Sequence, residues 1–297
     1  MVRVGSAEVR ADAPIADVVA PSVRYVLAAV DTTEIAHKVR LVASRMADRL
    51  RVPLRTVTIR GPMPKGLGYD ACFTQIDSGE ADEVPGNLVR MLAGLVNCEA
   101  HPLVVMGRHP RPPDGRVGRR LGTCLRVASI SRRPLLVVPP SLGSWEGPHR
   151  VLVPLDGSSI AALGASSALQ ALSLDEPKPT TVHVFDERSA PRFWDDLHHE
   201  YQAWSREFRA RYLDDVIGDH LEIRAGPRST SAQLVEMAAS GAFDLVALVW
   251  SQRTGDGRAQ VLREVLYASP VPVLLIPASY GVSAVAHIDE SGPDGRP

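Results

Sequence analysis

The strongest constraint on this chain is that its sequence repeats. Residues 25–31 (YVLAAVD) and 151–156 (VLVPLD) are short apolar, β-branched-rich runs ending in aspartate. Each is followed by small hydroxylated or glycine residues and then a helical stretch, the pattern of a buried strand feeding a helix. In the first copy Ile35, Val39, Val42, Met46 and Leu50 recur at intervals of four, three, four and four, which marks one face of an amphipathic helix that Asp31 or Thr32 is placed to cap. The second copy is Ala-rich and less periodic over 160–172. Second strands follow at 54–59 (LRTVTI) and 180–185 (TTVHVF). Leu88, Met91, Leu92, Leu95 and Val96 then form a helix face before a strand at 103–106, as Leu234, Val235 and Ala238 do before 245–249. Each copy closes with a loop, an amphipathic helix and a last strand, RPLLVVP ending at Pro139 and VPVLLIP ending at Pro277. Apolar strands alternating with helices predict a mostly parallel sheet covered on both faces, a doubly wound α/β architecture.

A length of 297 residues accommodates two such units. The reading divides the chain into a loose segment over 1–22, a first domain over 23–140, a Pro/Gly/Ser-rich linker over 141–149, a second domain over 150–278 and a tail over 279–297 with the composition of disorder. With 33 basic against 34 acidic residues there is no global footprint for nucleic acid or an anionic membrane, and no apolar run reaches the roughly 18 residues of a span. The opening segment lacks the apolar core of a secretory signal, so a cytoplasmic protein is expected. Cys72, Cys98 and Cys124 are odd in number and widely spaced, which suits reduced thiols rather than a disulfide framework or metal site.

In an open parallel sheet, ligands bind beyond the carboxyl ends of the strands. Asp31 and Asp156 lie there, suited to an N-cap or to contacts with ribose hydroxyls or a divalent ion, and capping is the commoner role. After the fourth strand of the first copy comes GRHPRPPDGRVGRRLGT, from Gly107 to Thr123. Its glycines allow backbone amides to approach phosphate, and the following helix start adds unsatisfied N–H groups. Arg108, Arg111, Arg116, Arg119 and Arg120 add positive charge, and Thr123 a hydroxyl. A solvated loop that binds nothing is an equally good reading, to which Pro110, Pro112 and Pro113 are suited. In the second copy Val249 stands at the place of Gly107, and Ala259 and Gln260 at those of Gly122 and Thr123, so a phosphate nest is not expected there.

The turn over 151–158 (VLVPLDGS), the weaker AAVDTT over 28–33, the LVVMG strand end over 103–107 and the two closing strands together resemble the universal stress protein family, in its tandem form. The resemblance covers about residues 23–278. It implies two Rossmann-like or flavodoxin-like domains of about five strands each, paired edge to edge through 135–138 and 273–276. It also implies a stress-associated regulatory protein without catalysis. ATP-binding members carry Gly, two residues, Gly, nine residues, Gly and then Ser or Thr. The first copy keeps Gly107, Gly122 and Thr123, but Pro110 replaces the second glycine and the interval to Gly122 is two residues longer. The second copy keeps Asp156, Gly157 and Ser158 without the glycine loop. The candidate nucleotide contacts are therefore Asp31, Thr32, Gly107, Arg108, Gly122 and Thr123, with Asp156, Gly157 and Ser158 in the second copy. ATP is the implied ligand, and Mg²⁺ only together with it.

The second copy also holds six of the chain's fifteen aromatic Phe, Trp and Tyr residues within 193–212, near helical spacing. Phe193, Trp194, Leu197, Tyr201, Trp204, Phe208 and Tyr212 read first as core packing and second as a docking face for a protein partner or a second copy. His198 and His199 beside Asp195 and Asp196 read as solvated surface rather than a metal site, since adjacent helical residues point about 100° apart. No catalytic constellation is recognised.

Overall fold

A computed structural model of the chain describes residues 23–31, 33–58, 86–98, 101–108, 122–176, 178–185, 199–218, 220–226, 228–253 and 259–280. The first half contributes β1 (Tyr25–Val30), α1 (Ala36–Leu50), β2 (Leu54–Thr58), α2 (Gly86–Asn97), β3 (Pro102–Gly107), α3 (Thr123–Ile130) and β4 (Leu135–Val138). The second contributes β5 (Val151–Pro154), α4 (Ser159–Ala171), β6 (Thr180–Phe185), α5 (His199–Tyr212), β7 (Leu221–Ala225), α6 (Thr230–Ala239), β8 (Leu245–Trp250), α7 (Gln260–Ala268) and β9 (Val273–Pro277).

The nine strands among the described residues form one sheet in the order β2-β1-β3-β4-β9-β8-β5-β6-β7. Pairing is parallel everywhere except at its centre, where β4 and β9 run antiparallel with Leu135 opposite Leu275, Leu136 opposite Leu274 and Val137 opposite Val273. The closing strands thus join edge to edge, as the resemblance implied, and the two expected sheets are one continuous sheet. In each half the first strand lies between the second strand and the strand that precedes the closing helix. Among the described residues the second half has five strands and the first has four; residues 59–85, between β2 and α2, lie outside them.

Alternation along the strands divides the core into two layers. Val26, Ala28, Val30, Leu136, Ala247 and Leu274 face the layer of α1 and α4, whereas Tyr25, Leu27, Ala29, Leu135, Val246 and Leu275 face α2, α3, α6 and α7. Both layers cross the β4–β9 seam, so the halves share their apolar burial. On the α1 side, Arg49 donates to the carbonyls of Ser173 and Glu176, and Lys38 to that of Pro140. The linker is packed down as well: Leu142 and Trp145 are buried, and the Trp145 indole N–H donates to the Asp244 carbonyl at 2.8 Å. The Arg150 guanidinium holds the Asp244 carboxylate through two nitrogens. Past β9, Tyr280 packs against the core.

The aromatic stripe resolves into two environments. Of α5, Phe208 is buried and Tyr201 and Tyr212 are partly buried against the core, while Trp204 stays 39% exposed and meets Phe185 edge to face. Phe193, Trp194, Leu197, His198, Asp195 and Asp196 lie outside the described residues. No helix among the described residues is long and apolar enough to cross a membrane.

Candidate functional site

The candidate residues gather at two equivalent places, the carboxyl ends of β1 and β3 in the first half and of β5 and β8 in the second. The first turn of each place is built alike. Asp31 Oδ1 accepts hydrogen bonds from the Thr33 backbone N–H at 2.9 Å and from its hydroxyl. Asp156 Oδ1 accepts from the Ser158 N–H at 3.0 Å and its hydroxyl at 2.7 Å. Each aspartate closes an Asx turn rather than capping a helix directly. The expected cap of α1 by Asp31 or Thr32 is therefore corrected. The N-cap is Ile35, without a side-chain cap, because a turn over 33–35 intervenes before the helix. In the second half Ser158 is the N-cap of α4 and accepts from Ala161 N–H, with Asp156 bracing it from outside. Thr32 lies outside the described residues.

Gly107 ends β3, and its missing side chain answers a close approach. A Cβ there would stand 2.7 Å from Ile35 Cγ2, inside contact distance. The neighbour that requires this glycine is thus an isoleucine. Gly122 is similar: a Cβ would stand 2.8 Å from the hydroxyl of Tyr267, which reaches over from α7 of the second half. Gly122 is also the N-cap of α3 and offers no side-chain cap, leaving the first N–H groups of the helix without that partner.

Arg108 follows Gly107 and is only 7% exposed. Its backbone N–H donates to the Val138 carbonyl at 2.8 Å, which fixes it over β4. Its guanidinium carbon lies 5.6 Å from the Tyr267 ring centroid, and its Nε is buried with no hydrogen-bond partner. Burial pushes the guanidinium below its ordinary pKa, opposed by the nearby Cys124 and Tyr267. The Cys124 thiol, in the first turn of α3, donates to the Gly107 carbonyl at 3.3 Å. Burial raises its pKa to about 12, against the pull of Arg108, and the Asp31 carboxylate raises it slightly more. Asp31, Gly107, Arg108, Gly122 and Thr123 are therefore brought to one end of the sheet, beyond the carboxyl ends of β1 and β3. Arg111, Arg116, Arg119, Arg120 and the three loop prolines lie outside the described residues.

In the second half Gly157 has φ +81°, a left-handed conformation that favours glycine. Its open side faces an aromatic wall, with His183, Phe208 and Tyr212 between 3.7 and 4.0 Å from a Cβ built there. His183 Nδ1–H donates to the Leu155 carbonyl at 2.8 Å, and its ring packs against Phe185 and Phe208. Val249, in the position of Gly107, packs on Gly164 of α4. Asp156, Gly157 and Ser158 come together beside this wall, with Asp156 exposed, but without an arginine counterpart, since the position equivalent to Arg108 is Trp250. Among the described residues, no cluster of three His, Cys, Asp or Glu side chains is arranged to hold a metal ion.

The sequence does not mark Ile35 or Cys124 as site residues, and gives no signal for Tyr267 or His183. The α1 stripe shows that Ile35 is buried, but only the fold shows what it is buried against. Nothing near Tyr267 in sequence announces a contact with a loop some 150 residues earlier.

Residues 148–277 match the model of the universal stress protein family. A comparison with curated proteins gave no match. Among solved structures, a protein of unknown function from Pseudomonas aeruginosa PAO1 is similar at 13% identity and a TM-score of 0.57, covering 91% of this chain and 98% of that one. A universal stress protein from Archaeoglobus fulgidus DSM 4304 is similar at 15% identity and a TM-score of 0.51, covering 86% of this chain and 96% of its own. At these identities the likeness is one of fold, and it extends over both halves.

Proposed function

We propose that this chain is a tandem universal stress protein, a non-enzymatic regulator whose first half binds an adenine nucleotide weakly and whose second half serves as its structural partner. The observation that carries this reading is Arg108: a buried guanidinium with an unpartnered Nε, beside the uncapped start of α3 and at the same end of the sheet as Asp31. A buried guanidinium with an unpartnered N–H is costly, and an anion at that place supplies what that N–H lacks. The phosphate end of a nucleotide fits this chemistry. Arg108 and the N–H groups of Gly122 and Thr123 would hold phosphate, and Asp31 would meet ribose or a phosphate-bound Mg²⁺. The bound nucleotide would supply a signal of cellular energy state rather than a reacting bond.

The Gly107 end fits less well, because Ile35 fills the space over that glycine. Binding is accordingly expected to be weak and governed by phosphate. In the second half, Asp156, Gly157 and Ser158 are assigned to bracing α4. Mass spectrometry of protein purified without added ligand should reveal a co-purifying adenine nucleotide, or calorimetry with ATP and Mg²⁺ should give saturable binding. No heat of binding at millimolar ATP would reject the nucleotide reading.

A second reading, a scaffold for a protein partner or a second copy, draws on Trp204, which remains exposed on α5 while Phe208 is buried. A Trp204→Ala protein with unchanged oligomeric state and no lost partner would count against it. ATP turnover abolished by Asp31→Ala would overturn the non-enzymatic assignment.

A further inference from the structure

The Arg108 site of the first half is not made by the first half alone. Tyr267 belongs to α7, in the second half, yet its hydroxyl fills the place of a Gly122 side chain and its ring lies under the Arg108 guanidinium. We infer that Tyr267 is a positioning residue for Arg108, so that anion binding at the start of α3 depends on the second half. This inference rests on the nucleotide reading above and concerns how that site is held.

Arg108 has a long, flexible side chain, and its Nε has no hydrogen bond to fix it. An aromatic face attracts a guanidinium through the ring quadrupole, more strongly where water is excluded, and this contact is one of the few that orient it here. The same ring also lies against Gly122, the N-cap of α3, and so holds the guanidinium and the helix start in a fixed relation. Two anion-attracting groups set at a constant spacing bind phosphate better than two that move independently.

At the other end of the seam the contact between halves is a hydrogen bond: Gln252 Nε2 donates to the Ala128 and Ser131 carbonyls at the end of α3. α3 is thus gripped at both ends by the second half, at its start by Tyr267 and at its end by Gln252. The closing helix of the first half is placed by the second half, which explains why a half lacking a phosphate loop would still be needed for binding.

The test uses the full-length protein and two probes, ATP with Mg²⁺ and inorganic tripolyphosphate, in calorimetry, with melting followed by circular dichroism. Tyr267→Phe keeps the ring and should bind both probes within about twofold of wild type. Tyr267→Met keeps apolar volume without the ring and should weaken both about tenfold, the scale of a desolvated cation–π contact. Arg108→Gln should weaken both at least as much, and the Arg108→Gln/Tyr267→Met double variant should be no worse than Arg108→Gln alone. That non-additivity, with the melting temperature of Tyr267→Met within a few degrees of wild type, is what a purely structural tyrosine does not produce. Wild-type binding with an unweakened Tyr267→Met protein, or losses that multiply in the double variant, would overturn the role of Tyr267 alone. A wild-type protein that binds neither probe would overturn the nucleotide reading and this inference with it.

Discussion

The ends of β3 and β8 solve one packing problem in opposite ways. In the first half Gly107 leaves room and Ile35, 8% exposed, moves in to fill it. In the second half Val249 fills the space from the strand, against Gly164, and Ala161, which holds the place of Ile35 on the buried face of the helix, is small. One residue further on, Arg108 and Trp250 occupy equivalent positions, each 7% exposed and each with a buried side-chain nitrogen lacking a partner. The fold therefore specifies a buried side chain at this point of the seam, but not its chemistry. An indole there adds apolar area to the core, whereas a guanidinium adds a charge that folding alone does not require. The difference teaches that a shared backbone can hold a charged side chain at one position and an apolar one at its equivalent.

The largest effect should come from Trp250→Ala, which removes a large side chain from the layer of α6 and α7. A loss of about 3–5 kcal/mol is expected by chemical denaturation, from lost burial and the cavity left. A loss below about 1 kcal/mol would show that Trp250 is not the structural counterpart of Arg108. Gly107→Val should cost about 1–3 kcal/mol through overlap with Ile35, and Gly107→Val/Ile35→Ala, which copies the arrangement of the second half, should recover most of it. Failure of that rescue would mean that the two halves do not exchange one volume between strand and turn. Gly157→Ala should cost about 1 kcal/mol, from the left-handed backbone rather than from crowding, because the aromatic wall stands at ordinary contact distance. Smallest of all, Arg108→Gln should change stability by less than about 1 kcal/mol in either direction while removing anion binding, since the guanidinium it deletes is incompletely paired. A large loss of stability there would return Arg108 to the core.

The thiols offer a further check on the Arg108 site. Burial holds the Cys124 pKa at about 12, so at pH 8 the folded protein should leave Cys124 unalkylated by iodoacetamide, while the partly buried Cys98 reacts. The unfolded thiol ionises near pH 9 and the folded one does not until about pH 12. The contribution of Cys124 is therefore intact below pH 9 and is lost as pH rises through that window. Peptide mapping after alkylation reads the first outcome directly.

Much of this architecture could be read from residue patterns, because strands buried on both faces must be apolar throughout and α1 must show its stripe. The bounds of β6 coincide with the apolar run at 180–185, and α4 begins one residue from the expected start despite its weak periodicity. β7, LEIRA, was not assigned to any residues, since a five-residue edge strand with two buried positions gives little signal. The candidate site was legible only in outline. Asp31, Gly107, Arg108, Gly122 and Thr123 were named from their order, which is local. That Ile35 occupies the space above Gly107, and that Tyr267 reaches Arg108 and Gly122 from the other half, follow from long-range packing that no spacing rule encodes. The helix cap was misread for a related reason: an Asx turn and an N-cap use the same residue types, and only the extra turn over 33–35 separates them.

The central claim is that the two halves have divided their roles, with one anion site per chain. Calorimetric titration of the full-length protein with ATP and Mg²⁺, repeated on Arg108→Gln and on Asp156→Ala, tests it most directly. The account predicts saturation at one nucleotide per chain, lost in Arg108→Gln and kept in Asp156→Ala. Two sites per chain, or a single site lost on changing Asp156 and kept on changing Arg108, would contradict it.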